Sequence, residues 1–170
     1  LRPDTLKTIT GTLKVKSDTL TKKSQIDFPA FSVARDSIVE DFRNGRKMIY
    51  YYGDVKVNYE NIELTAEYME YDLDSKTVFA TGIKDSTGAV IGRPVLTEGS
   101  SKYEMEKVYY NFASRKARIT NMITQESEGF LHGYNIKKMA DNSINISQGK
   151  YTTCDHEHPH FYLRMTKARM

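Results

Sequence analysis

The sequence predicts an all-β fold built from repeated strand-turn-strand units. Three observations lead there. Apolar residues alternate with period two rather than recurring at helical spacing. Short runs rich in Tyr, Val, Ile and Thr are separated by Gly, Asn, Asp or Ser. One strand-turn-strand pattern returns 39 residues further along, from Ala66 to Met105.

The order along the chain supports this. Residues 1–30 mix Thr, Ser, Lys and Asp with weak periodicity and read as an N-terminal linker or extension, with a strand near Gly11 to Val15. Residues 31–170 read as a single β domain. Within it, Ile62 to Leu73 is the best test of helix against strand. Ile62, Leu64, Ala66 and Tyr68 alternate with Glu63, Thr65 and Glu67, so period two wins. After Tyr68 the apolar phase moves by one, to Met69, Tyr71 and Leu73, as a bulge or sharp bend would produce. Asp74-Ser75 makes a turn, and Val78 and Ala80 share one face of the returning strand.

In the second copy Met105 stands where Ala66 stood, and Val108, Tyr110 and Phe112 replace Met69, Tyr71 and Leu73. Ala113-Ser114 repeats the turn, and Ala117 and Ile119 face one way. A weaker third copy runs from Gly133 through Ile136 to an Asp141-Asn142 turn, then Ile144 and Ile146, with its return strand off by one. Each hairpin has one apolar face that only its neighbours can cover, so stacking such units gives a jelly roll, a sandwich or a short β-solenoid. A stack of this kind has two open ends with unpaired backbone groups.

Composition excludes several classes. With 39% hydrophobic and 28% charged residues, 12 Tyr and 7 Phe, the chain is not a disordered tail. No run of 18 apolar residues marks a membrane helix, and the net charge of +3 permits an anionic ligand without requiring one. One cysteine, Cys154, excludes a disulfide within the chain and a CxxC pair. A first residue Leu rather than Met suggests a piece of a longer protein.

Tyr52-Gly53-Asp54-Val55-Lys56-Val57 followed by Ile62-Glu63-Leu64-Thr65-Ala66-Glu67-Tyr68-Met69-Glu70-Tyr71-Asp72 resembles the OstA-type repeat of lipopolysaccharide transport proteins. The tail Gly149-Lys150-Tyr151-Thr152-Thr153-Cys154-Asp155, then His158-Pro159-His160-Phe161-Tyr162-Leu163, resembles the segment that ends the periplasmic domain of the LptD family. Together these cover about two thirds of the chain; Gly92-Arg93-Pro94 lies in an inserted loop that departs from the pattern. The resemblance implies an OstA-like β-jelly roll at the periplasmic face of the outer membrane. It would accept lipopolysaccharide from a bridge protein of the LptA type by edge-strand pairing, and pass it to a C-terminal outer-membrane barrel and its plug lipoprotein. A soluble bridge protein of the same system, or an edge-pairing scaffold with no lipid slot, are the alternatives.

On that reading the inward stripe is a lipid slot lined by Val55, Val57, Ile62, Leu64, Ala66, Met69, Tyr71, Val78, Met105, Val108, Tyr110, Phe112, Ile119 and Ile136. Packing of these side chains on one another, as in any β sandwich, accounts for the same periodicity. Burying an acyl chain gains about 0.8 kcal/mol per methylene, and non-directional contact suits passage better than tight capture. Lys56, Arg115, Lys116 and Arg118 are candidate rim cations for phosphorylated head groups, or members of a solvated face. Ser37, Ile38, Val39 and Glu40 form a candidate partner edge strand.

The resemblance also implies a disulfide from Cys154 to a thiol elsewhere in the longer protein. The series Cys154, His156, His158 and His160 has metal-binding residue types, but Pro159 breaks ladder pairing, the histidines lie in what reads as a loop, and four ligands on one flat strand could not surround an ion, so neither a metal nor a cofactor is expected. Catalysis finds little support. Besides those three histidines only His132 is present, no G-x-S-x-G or P-loop appears, and Asp85-Ser86-Thr87-Gly88 reads as a turn. Nucleic acid is not expected, because Glu60, Glu63, Glu67 and Glu70 interrupt the aromatic run. Asn145-Ile146-Ser147 is a glycosylation sequon by pattern only.

Overall fold

Alternating apolar residues form antiparallel strands, connected by mostly short turns, many of two to five residues. A computed structural model describes residues 31–170, so the linker and the strand expected at Gly11 to Val15 lie outside the described residues. The strands are β1 (Phe31–Val33), β2 (Ser37–Asp41), β3 (Met48–Tyr59), β4 (Ile62–Asp72), β5 (Thr77–Thr81), β6 (Ile83–Lys84), β7 (Val90–Ile91), β8 (Val95–Glu98), β9 (Ser101–Asn111), β10 (Lys116–Glu126), β11 (Gly129–Lys138), β12 (Ile144–Thr152) and β13 (Leu163–Arg169). Eleven form one sheet in the order β1-β3-β4-β5-β9-β10-β11-β12-β13, with β2 also on β3 and β8 also between β4 and β9. The remaining pair, β6 and β7, is a small separate hairpin.

This single sheet folds over itself along a line that crosses every long strand. On β3, Gly53 and Asp54 oppose the lone Glu67 of β4, since Tyr52 pairs with Tyr68 and Val55 with Ala66. Two residues against one is a β-bulge, and it bends the strand. Gly53 has φ +77, and a Cβ there would sit 2.3 Å from an Asp36 carboxylate oxygen, so only glycine fits. The same line continues through Asn121 on β10 and Gln148 on β12, both with positive φ. It also marks a change of buried phase. On β9 the buried residues are Tyr103 and Met105, then Val108 and Tyr110; on β10 they are Ala117 and Ile119, then Met122 and Thr124. The shift keeps one face of the sheet inward on both sides of the bend.

On β4 the shift falls between Ala66 and Glu67, both buried, two residues earlier than the apolar pattern, which places it between Tyr68 and Met69. Tyr68 is therefore outward and packs against Tyr52, ring centroids 5.2 Å apart. The bulge on the neighbouring strand, invisible in β4's own sequence, sets the position.

The repeat is a structural one. The four-residue loops 73–76 and 112–115 each end on a left-handed basic residue, Lys76 (φ 53) and Arg115 (φ 54). In the first, Asp72 Oδ1 accepts the Asp74 and Ser75 N–H groups; in the second, Asn111 Oδ1 accepts the Ser114 N–H. These Asx caps fix the turn. The third copy has a five-residue loop between Lys138 and Ile144, and that extra residue is why its return strand is off by one.

Candidate functional site

Between the two layers lies one apolar strip. Twelve of the fourteen residues expected to line it are buried, and Tyr71 and Phe112 are partly buried against them. Val55, Met69 and Val108 are 0% exposed. Tyr51, Leu96, Tyr103, Met122, Leu131, Ile144 and Ile146 belong to the same cluster. Tyr51, Tyr103, Met122 and Leu131 extend, on strands β3, β9, β10 and β11, the inner faces assigned from sequence, whereas the strand that carries Leu96 was not assigned. Leu96 is on β8, which takes the place beside β4 and β9 that β5 holds on the other side of the bend.

In the middle of the sheet the tips of the two layers are latched. Phe112 meets Tyr59, Tyr71 and Tyr110 with centroids 5.0, 5.9 and 5.0 Å away. Arg115 pairs with Glu60 at 2.9 Å, and the buried Lys138 pairs with Glu98 at 3.0 Å. Burial pushes the Tyr110 phenol up to about 12. At the bend, Arg35 contacts Asp36, Asp54 and the buried Glu67, whose backbone N–H donates to Gly92 of the inserted loop. The Arg35 guanidinium is held protonated by its hydrogen bond to Asp36 and by these carboxylates.

The ends differ. On β2, Ile38 pairs with the inward Tyr51, so Ile38 also faces the interior, yet it is 48% exposed. Ser37, Val39 and Glu40 are exposed as well, and β3 is the pairing partner of β2. The N-terminal edge is in fact two strands, because β1 precedes β2 and pairs with the other half of β3. At the far end Met165 and Ala168 of β13 pack partly against the core, while Leu163 is 70% exposed.

The rim cations do not form a set. Lys56 pairs with Glu63 on the outer face. Arg115 is at a layer tip, as expected for a rim. Lys116 and Arg118 alternate with the buried Ala117 and Ile119 and therefore point away from the strip. With Lys137, Lys167 and Arg169 they line outer grooves of 810 and 290 Å³. Period-two geometry excludes them from the rim of an interior slot.

Cys154, His156, His158 and His160 are not on a strand. β12 ends at Thr152 and β13 starts at Leu163, so they occupy the connecting loop. Cys154, His156 and His160 place one ligand atom each within 4.8 Å of one another, and His158 is outside the group. The Glu157 carboxyl is held below its usual range by Arg93, 2.9 Å away. Burial, then Lys150, lowers the pKa of His132 on neighbouring β11.

Among the described residues a single antiparallel sheet folds around an apolar strip and has exposed strands at both of its edges, a β-jelly roll of the LptA-like type. The chain is similar to the crystal structure of LptH, described as the LptA-homologous periplasmic component of the conserved lipopolysaccharide transport device from Pseudomonas aeruginosa. The TM-score is 0.55 and the identity 15%, over 72% of this chain and 84% of that one. At that identity the likeness is one of fold. No protein-family model and no curated protein sequence matches.

Proposed function

We propose that this chain is a periplasmic component of lipopolysaccharide transport that shelters acyl chains between its two layers. One observation carries the proposal: the inner face that is sealed in the middle of the sheet is open at its end, where the inward Ile38 is half exposed. An acyl chain entering there replaces water on apolar surface, at about 0.8 kcal/mol per methylene, and meets few hydrogen bonds that would retain it. The jelly-roll likeness to LptH and the OstA-like repeat point to the same cargo. The Tyr-Thr-Thr-Cys tail favours the periplasmic domain of an LptD-type protein, at the outer membrane, over a soluble bridge.

Edge strands supply the connection. The exposed residues of β2, Ser37 to Glu40, would accept a strand from an LptA-type neighbour, extending the sheet by backbone pairing. Joining the β2 end of one domain to the β13 end of another is a heterologous contact, which builds a continuous row.

Photocrosslinking residues placed at Ile38 and Met165 test the reading in cells that make lipopolysaccharide. Lipopolysaccharide adducts at both positions are expected. Adducts with protein alone would replace the conduit by a purely structural scaffold.

A further inference from the structure

We propose that Cys154, His156 and His160 form a three-ligand site for a late transition-metal ion, with zinc as the case to test. The inference does not rest on the lipid reading. A flat strand carrying these residues could not wrap an ion, but residues 153–162 are a loop, and its curvature is what brings three of the four candidates together.

The loop is held closed from below. Thr152, 2% exposed, donates its hydroxyl to the Phe161 carbonyl at 2.7 Å and accepts the Cys154 N–H at 3.0 Å. One buried side chain thus ties both ends of the loop. Glu157 anchors its middle to Arg93 of the inserted segment. On this frame Cys154 Sγ lies 4.0 Å from His160 Nδ1, and the His156 and His160 rings meet edge-on with centroids 5.6 Å apart.

Zinc bonds of about 2.3 Å to sulfur and 2.0–2.1 Å to nitrogen place tetrahedral ligand atoms roughly 3.3–3.6 Å apart. The observed spacings, 4.0 Å for Cys154–His160 and at most 4.8 Å within the group, exceed this by no more than about 1.5 Å, which rotation of the exposed imidazoles can close. One thiolate and two imidazoles suit zinc or copper rather than magnesium or calcium. Three protein ligands leave a coordination position open, unlike a sealed structural site. On binding, the thiol gives up its proton and coordinates as a thiolate. A thiolate held this way is withdrawn from the disulfide that the LptD-like tail implies.

Cobalt(II) titration of the reduced protein reads the site directly, because thiolate ligation produces a charge-transfer absorption. One equivalent should bind with that band, Cys154→Ser should abolish it, and His156→Ala or His160→Ala should each weaken binding by at least about tenfold, as removal of even an outer-shell partner commonly does. His158→Ala should leave it unchanged. Zinc should displace the cobalt and shield Cys154 from alkylation by iodoacetamide. Absence of the band at one equivalent, an equal loss with His158→Ala, or unchanged alkylation under zinc would overturn the proposal. Far-ultraviolet circular dichroism of each variant verifies that the fold is intact.

Discussion

The middle of the sheet and its two ends are made from the same kind of hairpin and finish in opposite states. Around β4, β5, β9 and β10 the inward residues are sealed, with Met69, Ala80 and Val108 at 0% exposure, and the layer tips are latched by Phe112 and the Lys138–Glu98 pair. On β2 an equally apolar inward residue, Ile38, stays half exposed. A period-two strand buries its face only where neighbours exist on both sides and a second layer lies opposite. Openness here is a property of position in the stack rather than of residue type.

The largest effect that would sharpen this contrast is cavity formation. Met69→Ala should cost about 2–5 kcal/mol, because the closed middle cannot relax fully around the lost atoms. Ile38→Ala should cost about 1 kcal/mol or less. Urea denaturation of the two variants checks it, and equal losses would break the distinction between middle and end.

The latches come next. Glu98→Gln leaves the ammonium of Lys138, 3% exposed, without its counter-charge and should cost about 3 kcal/mol. Arg115→Ala removes a largely exposed pair with Glu60 and should cost under about 1 kcal/mol. Thermal denaturation separates the two.

At the bend, Gly53→Ala combines left-handed strain with a clash against Asp36 and should cost about 2 kcal/mol or more. Gly45→Ala, also at positive φ but with open space around it, should cost only about 1 kcal/mol. Comparable midpoints in urea would mean that the bend tolerates a side chain and is not what shapes the layers.

Alkaline pH tests the sealed middle without mutation. Burial raises the folded-state pKa of Tyr110 to about 12, above its ordinary value near 10. Stability from keeping this phenol neutral is complete below about pH 10. It should decline between about pH 10 and 12, as the unfolded chain ionises first, by on the order of 2 kcal/mol. Phenolate absorbance and denaturation midpoints measured across that range check the sign and the size.

Much of this organisation was legible in the sequence. Alternation in Ile62 to Ala66 shows a strand with one buried face, because side chains on a pleated ribbon alternate sides whatever the surroundings. The step from Ala66 to Met105 shows the repeat, and the turns hold because an Asp or Asn cap and a left-handed basic residue act locally. Other features were less accessible. The buried phase on β4 shifts at Glu67 because of a bulge on β3, and β5 and β8 share one strand position across an insertion, which only pairing can reveal. The outward side of Lys116 and Arg118, by contrast, already followed from the inward Ile119 on the same strand, so the rim reading failed on a signal the sequence held.

The same division applies to the candidate sites. Local chemistry written in the chain determined that this protein folds as β hairpins with one greasy face, turning at Asx-capped loops. The assembled sheet decided the rest: where it bends, which edges of the described sheet stay exposed, and which of the loop residues, Cys154, His156 and His160, are drawn together. Such features arise from contacts between residues far apart in sequence, and a periodicity confined to one strand carries no information about the neighbour that will bend or cover it.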